Sequence, residues 1–174
     1  TDFNERVNQL VHALRDKGLK TGDAFAVVSG NRREYFEAFA AAAHGGWLLV
    51  PVNWHLVAKE VAYILADSGS KALFVDSRFV ELAEATMLQP ERPNLDVVVI
   101  MGTEADTFAD ETEQAVSYEA FLSEQATAEP EDQLLGGPMF YTSGTTGHPK
   151  GVKSGLSQTG APVDVLKMIG EGIS

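Results

Sequence analysis

Nine consecutive residues, Thr142-Ser143-Gly144-Thr145-Thr146-Gly147-His148-Pro149-Lys150, put four hydroxyls, two glycines and a closing lysine into one short run. Glycine accepts positive φ and brings no Cβ, so neighbouring backbone N–H groups can turn toward a bound anion. The hydroxyls of Thr142, Ser143, Thr145 and Thr146 add donors, and Lys150 adds a positive charge. Such a set satisfies the oxygens of a polyphosphate. It is not a Walker A loop, G-x-x-x-x-G-K-[ST]. The fifth residue after Gly144 is Pro149, and Lys150 is followed by Gly151. Pro149 also disfavours a helix through the run, so a phosphate here would not rest on a helix N-terminus. The competing reading is a Ser/Thr/Gly linker. Linkers rarely follow an aromatic strand such as Met139-Phe140-Tyr141 or end in Pro-Lys-Gly-Val.

Elsewhere, residues suited to chemistry are sparse. The absence of cysteine excludes disulfides, thiolate metal sites and Cys nucleophiles. His12, His44, His55 and His148 never fall at ligand spacing, so no metal site is expected. His44 and His55 flank a strand and read as structural, and His148 is given no role. Trp47 and Trp54 read as core or interface residues rather than ligand platforms. A formal charge of −12 argues against a nucleic-acid partner held by phosphate contacts.

The elements that must position the loop come from a chain of 174 residues, 44% hydrophobic and 22% charged, which suits one ordinary globular core. Phe3, Val7, Leu10, Val11 and Leu14 recur at helical spacing, with Gly18 placed to close that helix. Strands are expected near Ala24–Ser29, Trp47–Val52, Ala72–Val75, Asp96–Met101 and Pro138–Thr142. Between them lie a helix opened by an Asn31/Glu34 capping box and stopped at Gly45, one ending at Asp67-Ser68-Gly69, and one capped by Ser77. Ser117 is expected to cap a short helix carrying Tyr118, Phe121 and Leu122. Helices alternating with short apolar strands predict an α/β fold: a parallel-rich mixed sheet flanked by helices. Three segments are expected. Residues 1–102 form the alternating subdomain, 103–137 an acidic connector with a short helix, and 138–174 the phosphate-loop segment and the start of a further subdomain. The connector holds ten acidic residues between Thr103 and Asp132 and no Lys or Arg, which reads as a solvated segment. The apolar stretch Tyr35–Val52 contains Glu37 and His44 and is broken by Gly45-Gly46 and Pro51, so no transmembrane segment is expected. No basic-plus-apolar leader opens the chain, and a cytoplasmic location is the default expectation.

Tyr141-Thr142-Ser143-Gly144-Thr145-Thr146-Gly147-His148-Pro149-Lys150-Gly151 resembles the phosphate-binding loop of the adenylate-forming (AMP-binding) superfamily, which includes acyl-CoA synthetases, luciferases and peptide-synthetase adenylation domains. Asn4–Leu10, Gly18–Asp23, Val50-Pro51-Val52-Asn53 and Ala62–Ser68 are similar to that family's opening helix, first turn, a strand end and third helix. The resemblance runs to about Val152. It implies the first part of the N-terminal domain of an ATP-dependent acid–thiol ligase. Such an enzyme activates a carboxylic acid as acyl-adenylate and passes it to coenzyme A, with ATP, Mg²⁺ and coenzyme A required by the full-length enzyme. It also implies phosphate-binding roles for Thr142, Ser143, Gly144, Thr145, Thr146, Gly147 and Lys150. The family's later Tyr-Gly-x-Thr-Glu, later Thr-Gly-Asp and C-terminal lysine do not follow the loop here. No catalytic residue is therefore expected within this chain, which alone should be inactive. The remainder of an enzyme, or self-association, is expected to cover exposed apolar surface. A binding or regulatory module that kept the fold and lost the reaction is the alternative, and a convergent phosphate-binding enzyme a third reading. Past Val152, Lys153–Pro162 departs from the family pattern, and Val163–Ile169 resumes helical spacing.

Overall fold

The computed structural model describes residues 1–92, 94–102, 115–142, 149–153 and 159–162. The elements run α1 (Asp2–Asp16), β1 (Ala24–Val28), α2 (Arg33–Gly45), β2 (Leu48–Val52), α3 (Ala58–Ser68), β3 (Ser70–Asp76), a 3₁₀ turn (Ser77–Phe79), α4 (Val80–Met87), β4 (Val97–Met101), β5 (Ala115–Ser117), α5 (Tyr118–Ser123), β6 (Gly137–Thr142) and β7 (Lys150–Lys153). The sheet order is β5-β4-β3-β1-β2-β6-β7. Every pair is parallel except β6–β7. The parallel-rich α/β expectation therefore holds, and each of the five expected strands is present with its ends moved by two residues or fewer.

Strand parity divides the core between the two faces of the sheet, because successive side chains point to opposite sides. Phe25, Val27, Leu49, Phe74, Val97 and Val99 pack with the apolar stripes of α1, α2 and α5. Ala24, Ala26, Val28, Val50, Leu73 and Val75 pack instead with Val61, Ile64 and Leu65 of α3 and Val80 and Ala83 of α4. Both faces of the central strands are covered, which is why they read as unbroken apolar runs rather than alternating ones.

The helix ends depart from the expected caps at α2 and before α4 and agree with them at α5. The cap of α2 is Arg32, not Asn31, and it makes no side-chain capping bond. Glu34 is taken up by Arg32, whose Nε and Nη2 donate to it at 3.2 and 2.9 Å. Gly46 is the left-handed cap of α2, with φ 76°, and Gly45 is its last helical residue. The two glycines do different work. Gly46 supplies the turn, while a Cβ on Gly45 would meet the Trp47 ring at 2.2 Å. Asp76, rather than Ser77, opens the next helical segment by accepting from the Arg78 N–H. Ser117 caps α5 as expected, its hydroxyl accepting from the Ala120 N–H at 3.2 Å. Among the described residues no helix is long and apolar enough to cross a membrane.

The described part of the acidic connector is bound to the helical layer. Arg6 donates to both carboxylate oxygens of Glu119, Asn8 to the Thr127 carbonyl, and Arg15 to that of Asp132. Under this layer Glu37 is fully buried. It accepts from Arg6 Nε at 2.8 Å, Arg33 Nε at 2.7 Å and the Tyr118 hydroxyl at 2.8 Å. A carboxylate removed from water is tolerated because charge-assisted donors replace its hydration. Burial and the Glu37 charge push the Tyr118 phenol well above its ordinary range, so it remains a donor.

The chain returns to the sheet at Gly136. A Cβ there would stand 2.0 Å from the Ala42 carbonyl oxygen and 2.3 Å from that of Trp47. Gly136 donates to the Ala43 carbonyl and Gly137 to that of Trp47, which sets β6 beside β2. Gly136→Ala should destabilise the protein by about 1–3 kcal/mol, since backbone atoms cannot swing aside as a side-chain tip can. Tyr118→Phe should cost a similar amount, about 1–3 kcal/mol, by leaving Glu37 one donor short. Urea unfolding checks both; unchanged midpoints would contradict these contacts.

Candidate functional site

Parallel order brings the C-terminal ends of β1, β2, β3 and β4 to one edge, and β6, parallel to β2, delivers its own C-terminal end to the same edge. In open α/β sheets this is the edge where ligands bind, near the point where the connections change direction across the sheet. Here the chain steps from β1 to β2 on one side and then crosses to β3 on the other. Only the start of β6 joins the parallel sheet, with Leu48 opposite Gly137 and Leu49 opposite Pro138. Met139–Thr142 turns instead to pair antiparallel with β7.

That strand β7 is new. The sequence reading ended its pattern in Pro-Lys-Gly-Val without assigning a strand there, because a four-residue run with two lysines carries no apolar alternation. Its register places Thr142 opposite Lys150, and both are exposed. Two of the seven expected phosphate-binding residues thus face one another across a strand pair. Ser143, Gly144, Thr145, Thr146 and Gly147, with His148, lie outside the described residues, as do 163–174.

Around this edge lie two further features. A cleft of about 350 Å³ opens at the ends of β1 and β2, lined among others by Ser29, Asn31, Tyr35, Asn53 and Trp54. Trp54 is 40% exposed and stacks on Phe79 with ring centroids 4.9 Å apart, so it is a wall rather than core. Trp47, by contrast, is fully buried against Phe25. Beside the cleft, Asp76 sits fully buried at the end of β3. Arg78 grips it through Nε at 3.0 Å and Nη2 at 2.6 Å, its own backbone N–H adds a third bond, and Arg32 Nη1 approaches at 3.3 Å. Sequence reasoning missed this cluster. An arginine two residues after an acidic strand end is its only sequence signal, and Arg32 is brought in from another element. A second cleft, of about 410 Å³, lies at the opposite edge between α1, α5 and the start of β4.

The described histidines make local contacts. His44 Nδ1 lies 3.1 Å from the Gln133 side-chain oxygen, and His55 stacks on Trp54. Among the described residues no group of three or more acidic or imidazole side chains is placed to hold a metal ion. Thr21-Gly22-Asp23 forms the turn before β1, where Asp23 accepts from the Lys20 N–H and from Lys71 Nζ. It stands at the edge of the sheet opposite the loop.

A two-stranded ribbon of β6 and β7, set on the carboxyl edge of a helix-flanked parallel sheet, completes the described α/β domain. This chain belongs to the AMP-binding enzyme family, whose model matches residues 1–158. It is similar to the fatty acid–[acyl-carrier-protein] ligase ScoC of Streptomyces coeruleorubidus, at 35% identity over 83% of this chain and 25% of that protein. It is 34% identical to the long-chain-fatty-acid–CoA ligase FadD13 of Mycobacterium tuberculosis, over 86% of this chain and 28% of that protein. Among solved structures, the anthranilate CoA ligase AuaEII in complex with anthranoyl-AMP superposes with a TM-score of 0.72 at 25% identity, over 86% of this chain and 28% of that one. The fold is that of the N-terminal domain of adenylate-forming enzymes, and the chain spans little more than a quarter of the length of these relatives.

The Asp76 cluster should make the edge acid-sensitive. Burial alone would raise the Asp76 carboxyl; the bonds from Arg78 and the charges of Arg32 and Arg78 outweigh it, and the net shift is downward. Glu119 is lowered by its bonds to Arg6. A carboxylate depressed in the folded state contributes stability that is fully present above its unfolded value, about 4, and is lost as pH falls through the folded value. The melting temperature should therefore be level from pH 7 to about pH 5 and decline progressively below about pH 4. Asp76→Asn should melt lower at neutral pH and decline less steeply in acid. Calorimetry across this range checks it, and parallel acid profiles would count against the cluster.

Proposed function

We propose that this chain supplies the phosphate-handling part of an ATP-dependent acid–thiol ligase, which joins a carboxylic acid to coenzyme A through an acyl-adenylate. The observation that carries this is the pairing of Thr142 with Lys150 at the carboxyl edge of the sheet, closing the hydroxyl- and glycine-rich loop at its base. Thr142, Ser143, Gly144, Thr145, Thr146, Gly147 and Lys150 hold the β- and γ-phosphates of ATP, the glycines and hydroxyls as donors and Lys150 as the charge. Attack by the carboxylate oxygen on the α-phosphorus forms the new P–O bond and expels pyrophosphate. Such a displacement is accelerated by positioning and charge neutralisation, both of which a loop gripping the leaving group provides. The described residues form no carboxylate cage for Mg²⁺. Residues 1–102 are the scaffold, 103–137 the acidic connector and 138–174 the segment that carries the loop. Relatives named for fatty-acid and acyl-carrier-protein ligation support the acid–thiol class.

Titration calorimetry tests the loop. The chain should bind pyrophosphate weakly, and ATP and GTP alike, because recognition is of phosphate. Lys150→Ala should lower affinity about tenfold or more, the loss expected for a charge-assisted contact, while His148→Ala should change little. Equal losses at the two positions, or preference for ATP over GTP, would refute the cradle. In pyrophosphate exchange with fatty and aromatic acids the chain alone should stay at background. Clear turnover would show that catalytic residues lie within it.

A further inference from the structure

Both ends of the loop converge on one helix. At its entrance the Tyr141 hydroxyl donates to Asp67 Oδ2 at 2.6 Å. At its exit the Pro149 carbonyl accepts from the Tyr63 hydroxyl, at a longer 3.4 Å. Tyr63 and Asp67 are four residues apart on α3 and so lie on one face, one turn from each other. Two independent bonds thus join the same helical face to the residue before Thr142 and the residue before Lys150.

The strand pairing alone does not fix where the loop points. Only Gly137 and Pro138 of β6 are paired to the parallel sheet; beyond them β6 and β7 form a two-stranded ribbon. An isolated ribbon of this kind is marginal in water. Its outer pair, Phe140 opposite Val152, is about half exposed on both sides. The inner side is different. Tyr141 lies opposite Gly151, where a Cβ would collide with the Met139 side chain and come within 3.1 Å of Tyr141 Cζ and 3.2 Å of its hydroxyl. The missing side chain at Gly151 lets the Tyr141 ring cross toward α3. Partial burial and the Asp67 carboxylate raise the Tyr141 phenol above its ordinary range, which keeps it protonated as the donor.

We propose that Asp67 and Tyr63 of α3, together with Tyr141, are positioning residues that hold the two ends of the Thr142–Lys150 loop at phosphate-binding spacing. This rests on the phosphate reading given above. The tethers order the loop base before a ligand arrives, and a preordered site loses less entropy on binding. Asp67 belongs to the Asp-Ser-Gly that otherwise reads only as a helix end, so a residue placed to terminate α3 also anchors the hairpin.

The test combines hydrogen exchange with pyrophosphate titration on the 174-residue chain and its variants. In Asp67→Ala and Tyr141→Phe, amides of β6 beyond Pro138 and of β7 should exchange about three- to tenfold faster, while those of β1 stay unchanged. Pyrophosphate affinity should fall by a similar factor, about three- to tenfold, with the melting temperature nearly constant. The double variant should lose no more than either single one, because one bond is removed in each case. Asp67→Asn, which keeps an acceptor oxygen, should recover most of the affinity, and Tyr63→Phe should affect chiefly the β7 side. Unchanged exchange in the single variants, or faster exchange with wild-type affinity, would overturn the positioning role while Lys150→Ala still weakened binding. No pyrophosphate binding by the wild-type chain would overturn the phosphate reading, and the positioning role with it.

Discussion

β6 is placed beside β2 by one close approach. Gly136 passes the backbone of Ala42 and Trp47 at a distance no side chain tolerates, and the flanking N–H groups bond to carbonyls at the end of α2 and the start of β2. This contact spans about ninety residues of sequence. It converts a chain that has wandered to the far edge of the sheet at β5 into a strand beside β2 on the near side. Because β6 is thereby parallel to its neighbour, its end emerges on the carboxyl edge. An antiparallel entry would have sent the same residues to the opposite edge, beside the turn at Thr21-Gly22-Asp23.

Two buried carboxylates keep the surrounding layers in register. Glu37 gathers donors from α1, α2 and the start of α5, so three helices share one charge. Asp76 gathers Arg32 and Arg78 at the carboxyl edge, between the ends of β1 and β3. Neither arrangement is inexpensive, since a charge taken from water must have its hydration replaced bond for bond. What such pairs add is direction: an arginine fork fits a carboxylate in few orientations, whereas an apolar contact would allow the helices to slide.

The acidic connector illustrates how composition and structure part company. Ten acidic side chains without a basic one read as a solvated segment, and most of its described charges are indeed exposed. Yet its backbone carbonyls and Glu119 are bound by Arg6, Asn8, Gln9 and Arg15 of α1. The polar face of α1, which looks merely hydrophilic along the sequence, is the surface on which the connector lies. Partners separated by more than a hundred residues leave no local trace.

By itself, the sequence determined most of the elements and the family to which the chain belongs. Apolar runs bounded by Gly, Pro and capping residues marked five strands and the intervening helices, because backbone preference and side-chain periodicity are local properties. Tyr141 through Gly151 carry the resemblance to the AMP-binding family, and that family is the one whose model matches the chain, because a run of hydroxyls, glycines and a lysine is local too. The cap of α2 falls at Arg32, one residue past Asn31, and Glu34 bonds the Arg32 side chain. β7 was missed because an exposed strand is stabilised by its neighbour and not by its own pattern. Only the tertiary structure decided that Thr142 faces Lys150, that α3 reaches both ends of their loop through Tyr63 and Asp67, and that Glu37 and Asp76 are buried charges with several donors each. Those are contacts between residues far apart along the chain, and their energies exist only once the sheet has closed the distance.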